Sequence, residues 1–234
     1  MPQQPPSLAE MVVTLVHTRE AELARVSRFL HDEIGQVLSA VGLQLGVLRL
    51  DFQERVPEIS ERTAEIQKIL EEAITNVRNL SYELNPAIVE RAGLPFALNA
   101  LAGRFRSEFP GTLRLLYDPA VQLPTAAGTA LYKIAEQAVE NAVAHARSTL
   151  IEVLVRPARA GPALVVKDNG AGFDIAAIRG RAAGLGLILM EYYSAQAGLQ
   201  FSISSAAGKG TIVRATCPTG AIHAASREQK AGPA

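Results

Sequence analysis

Leu23, Val26, Leu30, Ile34, Val37, Val41, Leu45, Leu48 and Phe52 recur every three or four residues through an otherwise polar stretch. Apolar positions at that spacing fall on one stripe of an α-helix, and the near-heptad period suits packing against other helices. The pattern predicts helix from about Leu8 to Phe52. Pro57 marks a turn. A second helix follows with Ile59, Ile66, Leu70, Ala73, Val77, Leu80 and Leu84 on one face. It stops at Asn85-Pro86, because proline disfavours helix in the residue before it. Two such helices form a hairpin that leaves apolar surface uncovered. Pairing two hairpins into a four-helix bundle covers it, so a homodimer is expected.

From Gly93 the period changes. Leu94–Phe109 and Thr125–Ala146 read as helices, whereas Leu113–Tyr117, Leu150–Arg156, Ala163–Asp168, Leu199–Ser205 and Thr211–Cys217 are β-rich and partly alternating. Strands and helices that do not follow strict βαβ order predict a two-layer α/β sandwich. The start, MPQQPPS, and the stretch from Thr219 to Ala234 read as disordered. The expected organisation is a disordered or signalling-helix segment (1–19), a helical hairpin (20–92), an α/β domain (93–218) and a tail (219–234).

Composition narrows the function classes. The 23 basic and 23 acidic residues balance, so no basic face argues for nucleic acid. The single cysteine, Cys217, excludes an internal disulfide and fits a reducing cytoplasm. No run approaches the roughly 18–20 apolar residues of a membrane span. The apolar run Met11–Val16 is too short for a signal-peptide core. A cytoplasmic chain without a span of its own is expected, whether or not a membrane sensor precedes it in a longer parent.

Three pieces of chemistry stand in order in the second half. Gln137, Asn141 and His145 are spaced i, i+4, i+8 on the Thr125–Ala146 helix and share a face. Amide oxygens and an imidazole there can hold a hydrated Mg²⁺ and phosphate oxygens. Next, Asp168-Asn169-Gly170-Ala171-Gly172 follows a strand directly. A buried aspartate at a strand end can accept a hydrogen bond from the exocyclic amine of adenine, and glycines permit close backbone approach. Last, Gly184-Leu185-Gly186-Leu187 opens a helix whose free N–H groups suit phosphate. Between the last two pieces, Ile175–Ala183 carries Arg179 and Arg181 and would make a lid. A P-loop string and a dinucleotide fingerprint are both absent. A histidine on the first helix, His31, and a phosphate donor on the second domain suggest phosphoryl transfer between two parts of one protein.

In this order and spacing the three pieces resemble the ATP-binding fold shared by gyrase, Hsp90, histidine kinases and MutL. The string RFLHDEIGQVLSAVGLQL is similar to the phosphoacceptor helix of two-component sensor histidine kinases of the nitrate/nitrite-sensor subfamily. LSYELNPAIVERAGLPFAL is similar to that subfamily's junction between hairpin and ATP domain, and GLGLILMEYYSAQAGLQFSISSAAGKGTIVRATCP to its last helix and closing strands. The resemblance covers roughly Glu20 to Pro218.

It implies that His31 receives the γ-phosphoryl group of ATP and passes it to an aspartate on a response-regulator receiver domain. Asp32 would orient the imidazole or take its proton, and Gln36 would position water for hydrolysis of the phosphorylated regulator. Asn141, with Gln137, would hold Mg²⁺, and Asp168 would read adenine. Gly170, Gly172, Gly184 and Gly186, with Leu185 and Leu187, would shape the pocket and lid, His145 would border the nucleotide, and Thr211 would line the adenine end. Gly35, four residues beyond His31, would leave room beside the imidazole.

The chain departs from the subfamily at three points. Gln137 stands where a glutamate is usual, with Glu136 one position earlier; Ala144 replaces a basic residue, for which Lys133 or the lid arginines would compensate. After Gly186 the helix start reads Ile188-Leu189-Met190-Glu191-Tyr192 in place of an Arg-rich run. These changes bear on rate, and they keep a second hypothesis open, a catalytically weak dimeric scaffold that docks a regulator. A serine kinase of the anti-sigma type shares the ATP fold but has no use for the long His31-Asp32 hairpin.

Overall fold

The computed structural model describes residues 8–52, 56–84, 87–106, 108–178 and 185–219. They fall into two compact units. One is Thr14–Ala87; the other runs from Ile88 onward and takes in the first residues of the chain.

The helical unit contains α1 (Leu8–Phe29), a five-residue π-helical turn (Leu30–Ile34), α2 (Gly35–Phe52) and α3 (Pro57–Leu84). The expected helix from Leu8 to Phe52 is therefore present, but it is wound differently at His31. The N–H of Gly35 reaches back five residues to the carbonyl of Leu30. Single π turns inside α-helices recur at functional sites. Pro57 is the first residue of α3, a position where its missing N–H costs no intrahelical bond.

α2 packs on α3 through small residues. A Cβ on Gly42 would stand 3.3 Å from Leu70 Cδ2, and one on Gly46 3.5 Å from Gln67 Nε2. α1 joins α3 through a buried pair of serines. The Ser27 hydroxyl donates to the Ser81 carbonyl at 2.8 Å, and the Ser81 hydroxyl donates to the Ser27 carbonyl at 3.0 Å. Val26, Val37, Val41, Leu48 and Phe52, all from the predicted stripe, remain exposed, with Val37 at 60%. Two helices cannot cover the stripe that the sequence provides.

The second unit is a five-stranded sheet with helices on one face. Its elements are α4 (Ile88–Arg106), β1 (Thr112–Tyr117), α5 (Thr125–His145), β2 (Leu150–Arg156), β3 (Ala163–Asp168), α6 (Ile175–Ile178), α7 (Leu185–Gln196), β4 (Gln200–Ser205) and β5 (Thr211–Thr216). The order is β1-β2-β3-β5-β4; only β1 and β2 run parallel. Every predicted strand lies within a residue of its expected bounds, because alternation is the direct imprint of a half-buried sheet. The helix expected from Leu94 is preceded by a further turn, Ile88–Ala92, set off by Gly93 at φ 81°. Ile88 and Val89 in that turn are buried.

Register places Leu115, Val153, Val166, Val213 and Ile203 in one row across the sheet. The row faces α4, α5 and α7, whose Leu98, Leu131, Ile134, Val139 and Met190 are also buried. The period of two puts Asp168 on the same face as Leu164 and Val166, so its carboxylate ends β3 on the helix side of the sheet. None of the described helices is long and apolar enough to cross a membrane.

Candidate functional site

A cavity of about 330 Å³ opens between α5, α7 and the ends of β3 and β5. Its wall includes Asn141, His145, Asp168, Gly172, Gly186, Leu187 and Thr211. Seven of the expected binding residues, from four separate stretches of sequence, thus meet around one space.

Asp168 is 6% exposed. Its Oδ1 accepts the Gly170 N–H at 2.8 Å. No described residue takes its other oxygen, which is the end left for a ligand. The following loop is fastened on both sides. Asn169 Oδ1 accepts the N–H groups of Thr149 and Leu150 at 2.9 and 3.0 Å, the Ala171 N–H donates to the Ala146 carbonyl at 2.7 Å, and the Gly208 N–H donates to the Ala171 carbonyl at 2.6 Å. Gly172 has φ +60°, and a Cβ there would lie 2.0 Å from the Ala206 carbonyl oxygen. Gly170 does something other than line the cavity. A Cβ on it would run into the end of α5, 2.2 Å from the Ala146 carbonyl oxygen. It is the contact that lets the loop seat on α5.

On α5 the expected face is divided. Asn141 and His145 border the cavity, and the Asn141 amide has no hydrogen-bond partner among the described residues. Gln137 lies beside them without lining the cavity; its Nε2 donates to Glu140 at 3.3 Å. Gly186, the second residue of α7, meets both amides. A Cβ there would be 2.8 Å from Asn141 Nδ2 and 3.3 Å from Gln137 Cδ. Leu185 starts α7 half-buried, outside the cavity wall. Gly184, Arg179 and Arg181 lie outside the described residues.

Glu136 turns the other way. Its carboxylate takes Arg104 at 3.2 Å and Lys133 at 3.4 Å. Lys133 is thereby engaged on the α4 side of α5, which leaves it poorly disposed to compensate for Ala144. Burial, and then the nearby Glu136 carboxylate, hold the Tyr132 phenol above its ordinary value, so it stays protonated.

The apolar half of the cavity was not singled out in the sequence. Phe173, Met190, Ile203, Val213 and Val166 line it with Ala138, Ala142 and Ala146. Alternation in β4 and β5 marked Ile203 and Val213 as inward-facing, but a flat apolar pocket wall and an ordinary core leave the same sequence pattern. Apolar walls with a few convergent polar groups are the usual form of a small-molecule site.

In the helical unit His31, Asp32 and Gln36 are all exposed. In a turn closed five residues apart, the residue stacked along the axis from His31 shifts from Gly35 towards Gln36. A Cβ on Gly35 would meet only the Leu30 carbonyl oxygen, at an ordinary 3.6 Å.

Residues 22–88 match the family described as Histidine kinase, and residues 126–221 match the family described as Histidine kinase-, DNA gyrase B-, and HSP90-like ATPase. The chain thus joins a histidine kinase domain to a histidine kinase-like ATPase domain. The sensor histidine kinase MctS of Rhizobium johnstonii is 31% identical to this chain over 96% of the chain and 49% of the relative. The oxygen sensor histidine kinase NreB of Staphylococcus carnosus is 28% identical over 89% of the chain and 60% of the relative. The chain spans about half to three-fifths of the length of these curated relatives. The first match ends at the junction between the two units, and the second holds the whole cavity wall.

Proposed function

We propose that this chain is the catalytic core of a two-component kinase that transfers the γ-phosphoryl group of ATP to His31 and then to an aspartate of a response-regulator receiver domain. The observation that carries the reading is the placement of Asp168. A buried carboxylate with one oxygen held by Gly170 and the other unclaimed opens on an apolar, nucleobase-sized slot. An acceptor there suits the adenine amine, and a base without that donor would leave the carboxylate unpaired.

The far end of the slot suits phosphates. Asn141 offers an amide unclaimed among the described residues, Gly186 keeps the space beside it open, and α7 begins there with N–H groups that have no intrahelical partner. Mg²⁺ fits this donor set, because it takes hard oxygen ligands, keeps several waters and leans on substrate phosphates. Asn141 would hold it with Gln137 as its neighbour; bound, it neutralises charge on the phosphates. No group of three His, Cys, Asp or Glu side chains exists among the described residues to form an all-protein metal cage.

At His31 a ring nitrogen donates its lone pair to the γ-phosphorus as the bond to the bridging oxygen breaks. ADP leaves with that electron pair. The imidazole becomes cationic, and Asp32 stabilises that charge and accepts the proton from the other ring nitrogen. A receiver aspartate would then take the phosphoryl group from the exposed imidazole. Gln36 would orient water during dephosphorylation of the regulator. The exposed Val26, Val37, Val41, Leu48 and Phe52 support a homodimer. A lone, buried Cys217 thiol is at home in the cytoplasm.

Gln137, Ala144 and the outward-turned Glu136 favour a slower alternative, a scaffold that binds nucleotide and docks a regulator with little turnover. Incubation with γ-labelled ATP and Mg²⁺ separates the two. Acid-labile, base-stable label on the wild type, and none on His31→Ala, is the expected result. Nucleotide binding without any label would leave the scaffold.

A further inference from the structure

We propose that Glu140 is a positioning residue that fixes the Gln137 amide, so that Gln137 presents its oxygen to the Mg²⁺-nucleotide beside Asn141. The proposal rests on the nucleotide reading above.

Gln137 lies one helical turn before Asn141 on α5, and both amides border the bare Cα of Gly186. A carboxamide has two unlike ends. Only its oxygen can serve a hard cation or its water shell; the NH₂ end would repel it. A free glutamine samples both orientations, so one turned the wrong way opposes the ligand. Here the choice is made by a neighbour. Gln137 Nε2 donates to Glu140 Oε2 at 3.3 Å, which leaves Oε1 as the end available to a ligand.

Glu140 is itself held. Its Oε1 takes Arg104 Nη2 at 3.1 Å, and the same guanidinium takes Glu136 at 3.2 Å. Arg104 stacks over Phe105, with its guanidinium carbon 4.6 Å from the ring centroid. Both oxygens of Glu140 are occupied, one by Arg104 and one by Gln137. Its carboxylate therefore acts through the glutamine. The relay runs from α4 to the metal side of α5, and α5 carries no acidic residue at position 137 to do the same work directly.

The test compares ATP affinity by titration calorimetry on the full chain, in Mg²⁺ and in EDTA. The quantity read is the ratio of the two Kd values, which a general loss of folding or of adenine binding does not change. Gln137→Ala and Glu140→Ala should each lower the Mg²⁺ advantage, by roughly 10-fold for an outer-shell partner of a metal. The double variant should fall no further, as for two residues acting in series. The proposal is overturned if Glu140→Ala leaves the ratio unchanged or if the two alanine effects add. A wild-type chain that binds ATP equally in Mg²⁺ and EDTA would overturn this inference and the metal assignment together. Failure of the wild type to bind ATP at all would sink the nucleotide reading itself.

Discussion

Gly186 sits so close to Asn141 that a Cβ on the glycine would stand 2.8 Å from the amide nitrogen. The contact joins the start of α7 to the C-terminal turns of α5 at the end of the cavity proposed for the phosphates. Gly186→Ala should therefore push the Asn141 amide aside without touching the core. The expected outcome is ATP affinity lowered at least several-fold, with thermal unfolding little changed, read by calorimetry and circular dichroism on the same sample. An alanine variant that binds ATP as well as the wild type would show that the space beside Asn141 is not used.

Asp168→Asn keeps an oxygen for the Gly170 N–H but offers a second end that donates where the carboxylate accepts. Such a mismatch at a buried polar contact should weaken ATP binding by roughly 10²-fold. GTP binding, expected to be weak in the wild type, should change far less. Equal losses for both nucleotides would mean that Asp168 holds the loop and does not read the base.

The Ser27–Ser81 pair is a stability element of the helical unit. Removing one hydroxyl takes the donor from the other serine's buried carbonyl and breaks the 3.2 Å contact that the two hydroxyls share, at a cost of about 1–3 kcal/mol. Ser27→Ala and Ser81→Ala should each lower the urea midpoint, and the double variant should cost less than the two together. Additive losses would show that the two hydroxyls act separately.

Val41→Glu with Leu48→Glu places two charges on the uncovered stripe of α2. The double variant should run as a monomer in light scattering and keep its ATP affinity, since the cavity lies wholly in the other unit. A dimer that survives both charges would mean that copies associate elsewhere.

The sheet was legible mostly because β1, β2 and β4 alternate between more and less buried positions. A period of two survives in β2 as Ile151, Val153 and Val155, all buried, between less buried neighbours. The polar half of the site was legible for a similar reason, as Asn141, Asp168 and Gly186 have no role in a core. What escaped reading lies where two structures share one pattern. Apolar spacings of three and four describe an α-helix through His31 equally well with or without a π turn, since the difference is one backbone bond from Gly35 to Leu30. Gly170 belonged to the right motif for another reason, contact with Ala146. The Glu140–Gln137 pair spans three residues of one helix, a spacing found on any solvated face, and only the position of Arg104 on α4 gives it direction.

The two serines have one more effect. Sliding α1 along α3 by a single residue, about 1.5 Å, would break both cross-helix bonds and leave each hydroxyl only a carbonyl of its own helix. Bending or splaying the helices about that point preserves both bonds. The clasp therefore behaves as a pivot, and whatever movement α1 transmits towards His31, four residues further on, is constrained to swing and not to piston.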